Sequence, residues 1–311
     1  MPEPTQELQP NAPKDTQGPN LLMRFVPQPF VPHAQLARLD RPIGTWLLFL
    51  PCLWGMALAG SAINSYPPLS FIALFAIGAL VMRGAGCTFN DIADREIDAK
   101  VDRTALRPLP SGRISVVGAW GFLLTQAFIG LLVLLQFNWF TVALCMGSLV
   151  LVALYPFMKR LTYWPQFFLG LTFNWGALVG YSAIAGTLSP ATYALYAAGV
   201  FWTLGYDTIY AHQDREDDAL IGVRSTALLF GRHTGFALIF FYGGCLAALA
   251  LAGYWAELTV LFWVGLGVAG YHLIMQIIRL DIDDGARCLA LFRSNRDTGL
   301  IIAAALLLGV F

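Results

Sequence analysis

The sequence predicts an all-α, polytopic membrane protein with about nine transmembrane helices, and three observations carry that expectation. The 311 residues are 57% hydrophobic and only 12% charged, about half the charge of an ordinary soluble domain. Apolar runs recur along the chain at about the 20-residue length needed to cross the hydrocarbon layer. Every basic residue falls on one side of the alternating loops between those runs.

Residues 1–34 are expected to form a disordered or surface-lying tail, ahead of a membrane domain over 35–311. The tail is rich in Pro, Gln and Asn and has no apolar run, so it cannot bury enough surface to order itself. Glu3 and Glu7 stand where a secretory signal would carry basic residues. The expected membrane helices cover approximately 43–63, 69–90, 115–136, 139–157, 164–186, 190–211, 234–254, 257–279 and 297–311.

The loops near 64–68, 137–138, 187–189 and 255–256 contain no Lys or Arg. All 19 basic residues lie on the other side, and of the 19 acidic residues only Glu257 does not. The positive-inside rule then places the N-terminus and the basic loops on the cytoplasmic side of a bacterial inner membrane, or on the matrix side of a mitochondrial one. One face of the membrane so carries a dense polar cap of mixed sign, as an enzyme handling a charged substrate there would need. Membrane lipid is the expected surrounding, and no nucleic-acid partner is expected. The five cysteines contain no CxxC and the four histidines no ligand spacing, so neither a disulfide framework nor a zinc site is expected.

Two carboxylate rows carry the chemistry. The first follows the second apolar run: Asn90, Asp91, Asp94, Asp98 and Asp102. A helix advances about 100° per residue, which puts the four aspartates on one face of a continuing helix. The second row closes the sixth run, with Asp207, Tyr210, Asp214 and Asp218 at the same offsets of 0, 3, 7 and 11. Helices two and six run in the same direction, so the rows read as a sparse internal repeat of two parallel halves. Like charges on one helix face repel, and desolvation at a membrane helix end adds to the cost. A bound cation would offset both. Oxygen donors without His or Cys favour Mg²⁺, which uses one or two carboxylates together with substrate phosphate oxygens. A solvated acidic helix end would account for either row alone but not for two rows of matched spacing. Arg83 stands two turns before Asp91, and Lys159-Arg160 follows the fourth run. These cations suit phosphate or carboxylate oxygens, while membrane anchoring is the plainer role for Arg160.

Asn90-Asp91-x-x-Asp94-x-x-x-Asp98 resembles the first aspartate motif of the UbiA superfamily of intramembrane prenyltransferases, and Asp207-x-x-Tyr210-x-x-x-Asp214-x-x-x-Asp218 resembles the second. Five further segments are similar to the 4-hydroxybenzoate polyprenyltransferase branch: 38–45 with Arg38 and Pro42, 83–87 with Arg83, 103–112 with Arg107 and Pro108, 155–160 with Tyr155 and Lys159, and 291–296 with Arg293 and Asn295. The resemblance implies a ring-like bundle whose central cavity opens sideways to lipid. It implies Mg²⁺-dependent transfer of a polyprenyl group from polyprenyl diphosphate to the ring carbon ortho to the hydroxyl of 4-hydroxybenzoate, a step of ubiquinone biosynthesis. By the same resemblance Asn90, Asp94, Asp98, Asp207, Asp214 and Asp218 would hold the metal. Arg83 and Lys159 would bind diphosphate, and Arg38 the acceptor carboxylate. Tyr155 and Tyr210 would stand near the allylic carbon, and Asp91 or Asp207 would take the ring proton. A different acceptor within the superfamily is one alternative. A cation transporter is the other, although transporter sites usually lie near the membrane midplane and these rows lie at helix ends.

Overall fold

The computed structural model describes residues 21–99, 104–215 and 222–310. It is helical, with no strand among those residues. The long helices are α1 (Ile43–Ile63), α2 (Leu69–Asp98), α3 (Val116–Leu134), α4 (Trp139–Leu161), α5 (Pro165–Ala185), α6 (Pro190–Ala211), α7 (Thr234–Trp255), α8 (Val260–Ile278) and α9 (Gly285–Leu308). Seven stretches among the described residues are long and apolar enough to cross a membrane, and α6 and α9 are not among them. Both helices are long enough, but their composition differs. Most of α6 is buried within the protein, so its face need not match lipid. Arg287, Arg293, Arg296 and Asp297 lie on α9, which starts at Gly285 rather than at 297 as expected. The expected second and fourth helices also run on past their apolar stretches, to Asp98 and Leu161.

The chain divides into two compact units, one within Met1–Thr45 and Ile77–Val133, the other within Trp46–Ala76 and Leu134–Phe311. In the first, a short helix at Val31–Leu36 precedes the first membrane helix. Its Leu36 packs with Leu109, Ile114 and Ala119 in a small buried cluster, flanked by Ile92, Val116 and Phe122. That cluster draws the 104–115 turn region and the start of α3 against α2. Thr88 donates to Gln126 Oε1 at 3.3 Å and joins α2 to α3. The outer face of α3 carries exposed Leu124, Phe128, Leu131 and Leu132, and only 11% of its apolar stretch is buried. Such a patch would be a liability in water and suits a lipid-facing helix.

In the second unit, glycines let helices approach closely. A Cβ at Gly55 would strike the Ala177 backbone, and one at Gly180 the Cys52 backbone, which brings α1 and α5 together by the small-residue packing usual in membranes. Trp54 and Trp202 are fully buried, with ring centroids 4.9 Å apart. Their indole N–H groups donate to the Gly299 carbonyl and to Asn295 Oδ1, each at 2.8 Å. Asn295 Nδ2 in turn donates to Gln276 Oε1 at 3.2 Å, which also accepts from the Tyr242 hydroxyl at 2.7 Å. This network ties α6, α7, α8 and α9 together and satisfies polar groups that hydrocarbon would leave unpaired.

Candidate active site

As far as Asp98, the last residue of α2, the first carboxylate row is built as the spacing predicts. The second helix continues through it, so Asp91, Asp94 and Asp98 share a face and are buried at 0%, 1% and 7% exposure. Asn90 is half-buried beside them, and Asp102 lies outside the described residues. Charge is offset within the first unit by two guanidinium groups. Arg38 Nη2 donates to Asp91 Oδ1. Arg107 Nη1 donates to Asp98 Oδ2 at 2.9 Å and to Asp91 Oδ1 at 3.4 Å. Asp91 Oδ2 is buried without a hydrogen-bond partner among the described residues.

Local structure aims both cations. Arg38 follows the Val31–Leu36 helix in the left-handed region, at φ +57°, a conformation uncommon outside glycine. Its Nη1 donates to the Gln35 carbonyl at 3.0 Å, so the guanidinium is held at both ends. Arg107 rides on a turn that Thr104 fastens to the end of α2, by donating to the Asp98 carbonyl at 2.8 Å. Gly112, at φ +73°, then lets the chain turn into α3. Arg113 Nη1 donates to Gln35 Oε1 at 2.9 Å, and partial burial pulls its guanidinium below the usual arginine value. Arg83 is held by close packing, since a Cβ on Gly44 would stand 2.8 Å from Arg83 Nη2. Arg107 is the cation that motif reading quoted but left without a role. Its signal was a basic residue in the turn directly after an acidic helix face.

The second row departs from the expected pattern. The α-helix ends at Ala211, and His212–Asp214 form a 3₁₀ turn. The tighter winding changes the phase of the residues that follow. Asp207 and Tyr210 keep their α-helical offset on α6, but Asp214 lies on the 3₁₀ turn, and Asp218 falls outside the described residues. The ring of Tyr210 lies 4.5 Å from that of Phe292. His212 shares a 2.8 Å hydrogen bond with Thr234. Burial pushes its imidazole down to about 4, helped by the Arg215 charge and opposed by Asp283.

Tyr155 and Lys159 are four residues apart near the end of α4 and both half-buried, so they share a helix face. The loop after the second row is fastened there, as Arg224 N donates to the Lys159 carbonyl at 2.9 Å. The Arg224 guanidinium also lies 5.3 Å from the Tyr163 ring centroid. Thr226 closes the loop onto α6 by a 2.7 Å hydroxyl contact with Thr208.

Among the described residues no three His, Cys, Asp or Glu side chains converge as a ready metal cage. Mg²⁺ does not require one, because it completes its shell with substrate oxygens and water. The oxygen-only donors of the row fit such an ion.

The chain is thus a helical protein with apolar membrane-length helices and a buried aspartate row braced by guanidinium groups. The chain belongs to the UbiA prenyltransferase family, whose model matches residues 48–303. It is 52% identical over 279 residues to the mitochondrial 4-hydroxybenzoate polyprenyltransferase of Drosophila melanogaster, covering 89% of this chain and 71% of that one. Among solved structures, a UbiA homolog from Aeropyrum pernix K1 superimposes with a TM-score of 0.70 at 25% identity, over 84% of this chain and 96% of that one. A UbiA homolog from Archaeoglobus fulgidus, solved bound to GPP and Mg²⁺, matches with a TM-score of 0.63 at 19% identity, over 89% of this chain and 99% of that one. Family membership decides against the transporter alternative.

Proposed function

We propose that the chain transfers a polyprenyl group from polyprenyl diphosphate to the carbon ortho to the hydroxyl of 4-hydroxybenzoate, in the ubiquinone pathway. The observation that carries this reading is the buried row of Asp91, Asp94 and Asp98 braced by Arg38 and Arg107, in a chain about half identical to enzymes of that name. Asn90, Asp94 and Asp98 of the first row, and Asp207, Asp214 and Asp218 of the second, would hold Mg²⁺. When bound, Mg²⁺ supplies Lewis-acid stabilisation of the departing diphosphate.

Arg83 and Lys159 bind the phosphate oxygens and stabilise the charge that develops as the allylic C–O bond breaks. Tyr155 and Tyr210 offer aromatic faces to the cationic allylic carbon, and the apolar bundle keeps water from quenching it. Arg38 binds the acceptor carboxylate by charge-assisted hydrogen bonding. The ring carbon then forms the new C–C bond, and its proton leaves to a carboxylate. Of the two candidates, Asp91 is favoured. Arg38 fixes its Oδ1, and its buried Oδ2 has no competing partner among the described residues. The membrane is the mitochondrial inner membrane or its bacterial counterpart, with the charged loops on the matrix or cytoplasmic side.

The direct test incubates purified membranes with Mg²⁺, a polyprenyl diphosphate and 4-hydroxybenzoate. A product with the mass of the ortho-prenylated acid is expected, and absence of that mass with another aromatic acceptor turned over instead would reassign the substrate. Chelation by EDTA should stop turnover and added Mg²⁺ restore it; turnover that survives chelation would remove the metal from the scheme. Arg38→Ala should raise the KM for 4-hydroxybenzoate more than that for polyprenyl diphosphate, and the opposite pattern would move Arg38 to the diphosphate. Asp91→Asn should lower kcat about 10²-fold or more, the usual size of a general-base contribution, with a smaller change in the KM for diphosphate. A kcat within threefold of wild type would pass the proton role to Asp207.

A further inference from the structure

Apart from the aspartate rows, the second unit holds a groove of about 640 Å³ between α8 and α9. Its lining is graded along the helix axis. Arg279 and Arg287 stand at one end, His272, Gln276 and Ser294 provide polar groups, and Met275, Ile278, Ala290 and Leu291 make the apolar wall. Arg279 is the first residue after the apolar stretch Val260–Ile278. The groove mouth therefore falls at the membrane boundary on the charge-bearing side. Tyr271, Ile274 and Ile278 are exposed along α8, so the adjoining face of that helix suits lipid.

The polar groups are unevenly committed. Arg287 is shared with Asp284 at 3.5 Å and Asp281 at 3.7 Å. Gln276 is 2% exposed and donates to Ser294 and Thr298 at 3.2 and 3.3 Å. His272 uses Nδ1 with Thr298 at 2.8 Å, which leaves Nε2 for a ligand. The Arg279 guanidinium forms no ion pair or side-chain hydrogen bond among the described residues. Arg279 and His272 are two turns apart, about 10 Å along the helix axis.

From this grading we infer that the α8–α9 groove binds an anionic phospholipid, with its phosphate on Arg279 and its glycerol ester region beside His272 and Ser294. One acyl chain lies against Met275, Ile278, Ala290 and Leu291. Charge complementarity selects this occupant over a neutral lipid, because basic pockets between membrane helices at the charged side attract anionic headgroups. The apolar wall selects it over a free anion, which would gain nothing from burying that surface. Arg279 carries most of the selectivity, since Arg287 is already shared with two carboxylates.

The test is native mass spectrometry of the full chain, purified in detergent, with phosphatidylglycerol, phosphatidylcholine or inorganic phosphate added. Wild type should retain phosphatidylglycerol at lower concentration than phosphatidylcholine. Arg279→Gln should weaken that retention about fivefold, the effect expected of one basic residue at a membrane surface, and Arg287→Gln less. Arg232→Gln, an exposed cation outside the groove, should leave retention unchanged. Ala290→Phe, which fills the groove without touching a charge, should displace the lipid. It also serves as an independent variant if Arg279→Gln folds poorly. Equal retention of the two lipids, insensitivity to both Arg279→Gln and Ala290→Phe, or displacement of the lipid by millimolar inorganic phosphate would each overturn the inference.

Discussion

Asp94→Ala is expected to abolish prenyl transfer, by about 10³-fold or more in kcat, while the protein still inserts and folds. Asp94 sits in the middle of the first row, one helical turn from both Asp91 and Asp98, and is 1% exposed. A carboxylate so placed is costly in a membrane protein unless it works with a cation. Removing one preorganised electrostatic partner of a developing charge typically costs 10²–10³-fold, and losing a metal ligand adds to that. Alanine keeps the helix, being its best former, so the loss should not reflect unfolding. Circular dichroism and the elution volume in detergent should match wild type. Asp214→Ala, in the second row, is expected to behave alike. Near-normal turnover by either variant would leave the aspartate rows without a catalytic purpose.

Arg107→Ala is expected to destabilise the first unit by about 3–5 kcal/mol, the cost of stripping one partner from a buried ion pair. Two carboxylates depend on that guanidinium, Asp98 at 2.9 Å and Asp91 at 3.4 Å, and the Arg107 side chain is only 12% exposed. With it gone, Asp91 retains Arg38 and Asp98 loses its ion pair with Arg107. Thermal unfolding in detergent should report the loss. Added Mg²⁺ should recover more stability in this variant than in wild type, because a divalent ion replaces the missing charge by mass action. Arg107→Lys should recover part, as an ammonium keeps the charge but lacks the planar guanidinium's fixed set of donors. An unfolding temperature unchanged by Arg107→Ala would show that the row needs no guanidinium.

The lipid-facing helices were legible in the sequence, because hydropathy and length decide whether a segment crosses hydrocarbon. The face shared by Asp91, Asp94 and Asp98 was legible as well, since offsets of three and four follow from helix geometry alone. Both are local properties of a chain written in one dimension. The sequence could not say that α6 stops at Ala211 and tightens into a 3₁₀ turn before Asp214. Helix termination there depends on how the following segment packs, here His212 against Thr234 and Thr226 against Thr208. Nor could it extend α9 back to Gly285, because the charged first half of that helix gives no apolar signal.

What the sequence by itself determined, then, is a polytopic helical membrane protein with an acidic helix face after its second apolar run, because composition and periodicity need no partner to be read. Only the tertiary structure decided which cations meet those acids. Arg38 and Arg107 lie 53 and 16 residues from Asp91 along the chain. Their meeting depends on a left-handed residue, a turn fastened by Thr104, and the Leu36–Leu109–Ile114 cluster that folds both segments onto α2. Contacts between segments so far apart arise from packing, and packing is a property of surfaces that no spacing along the chain records.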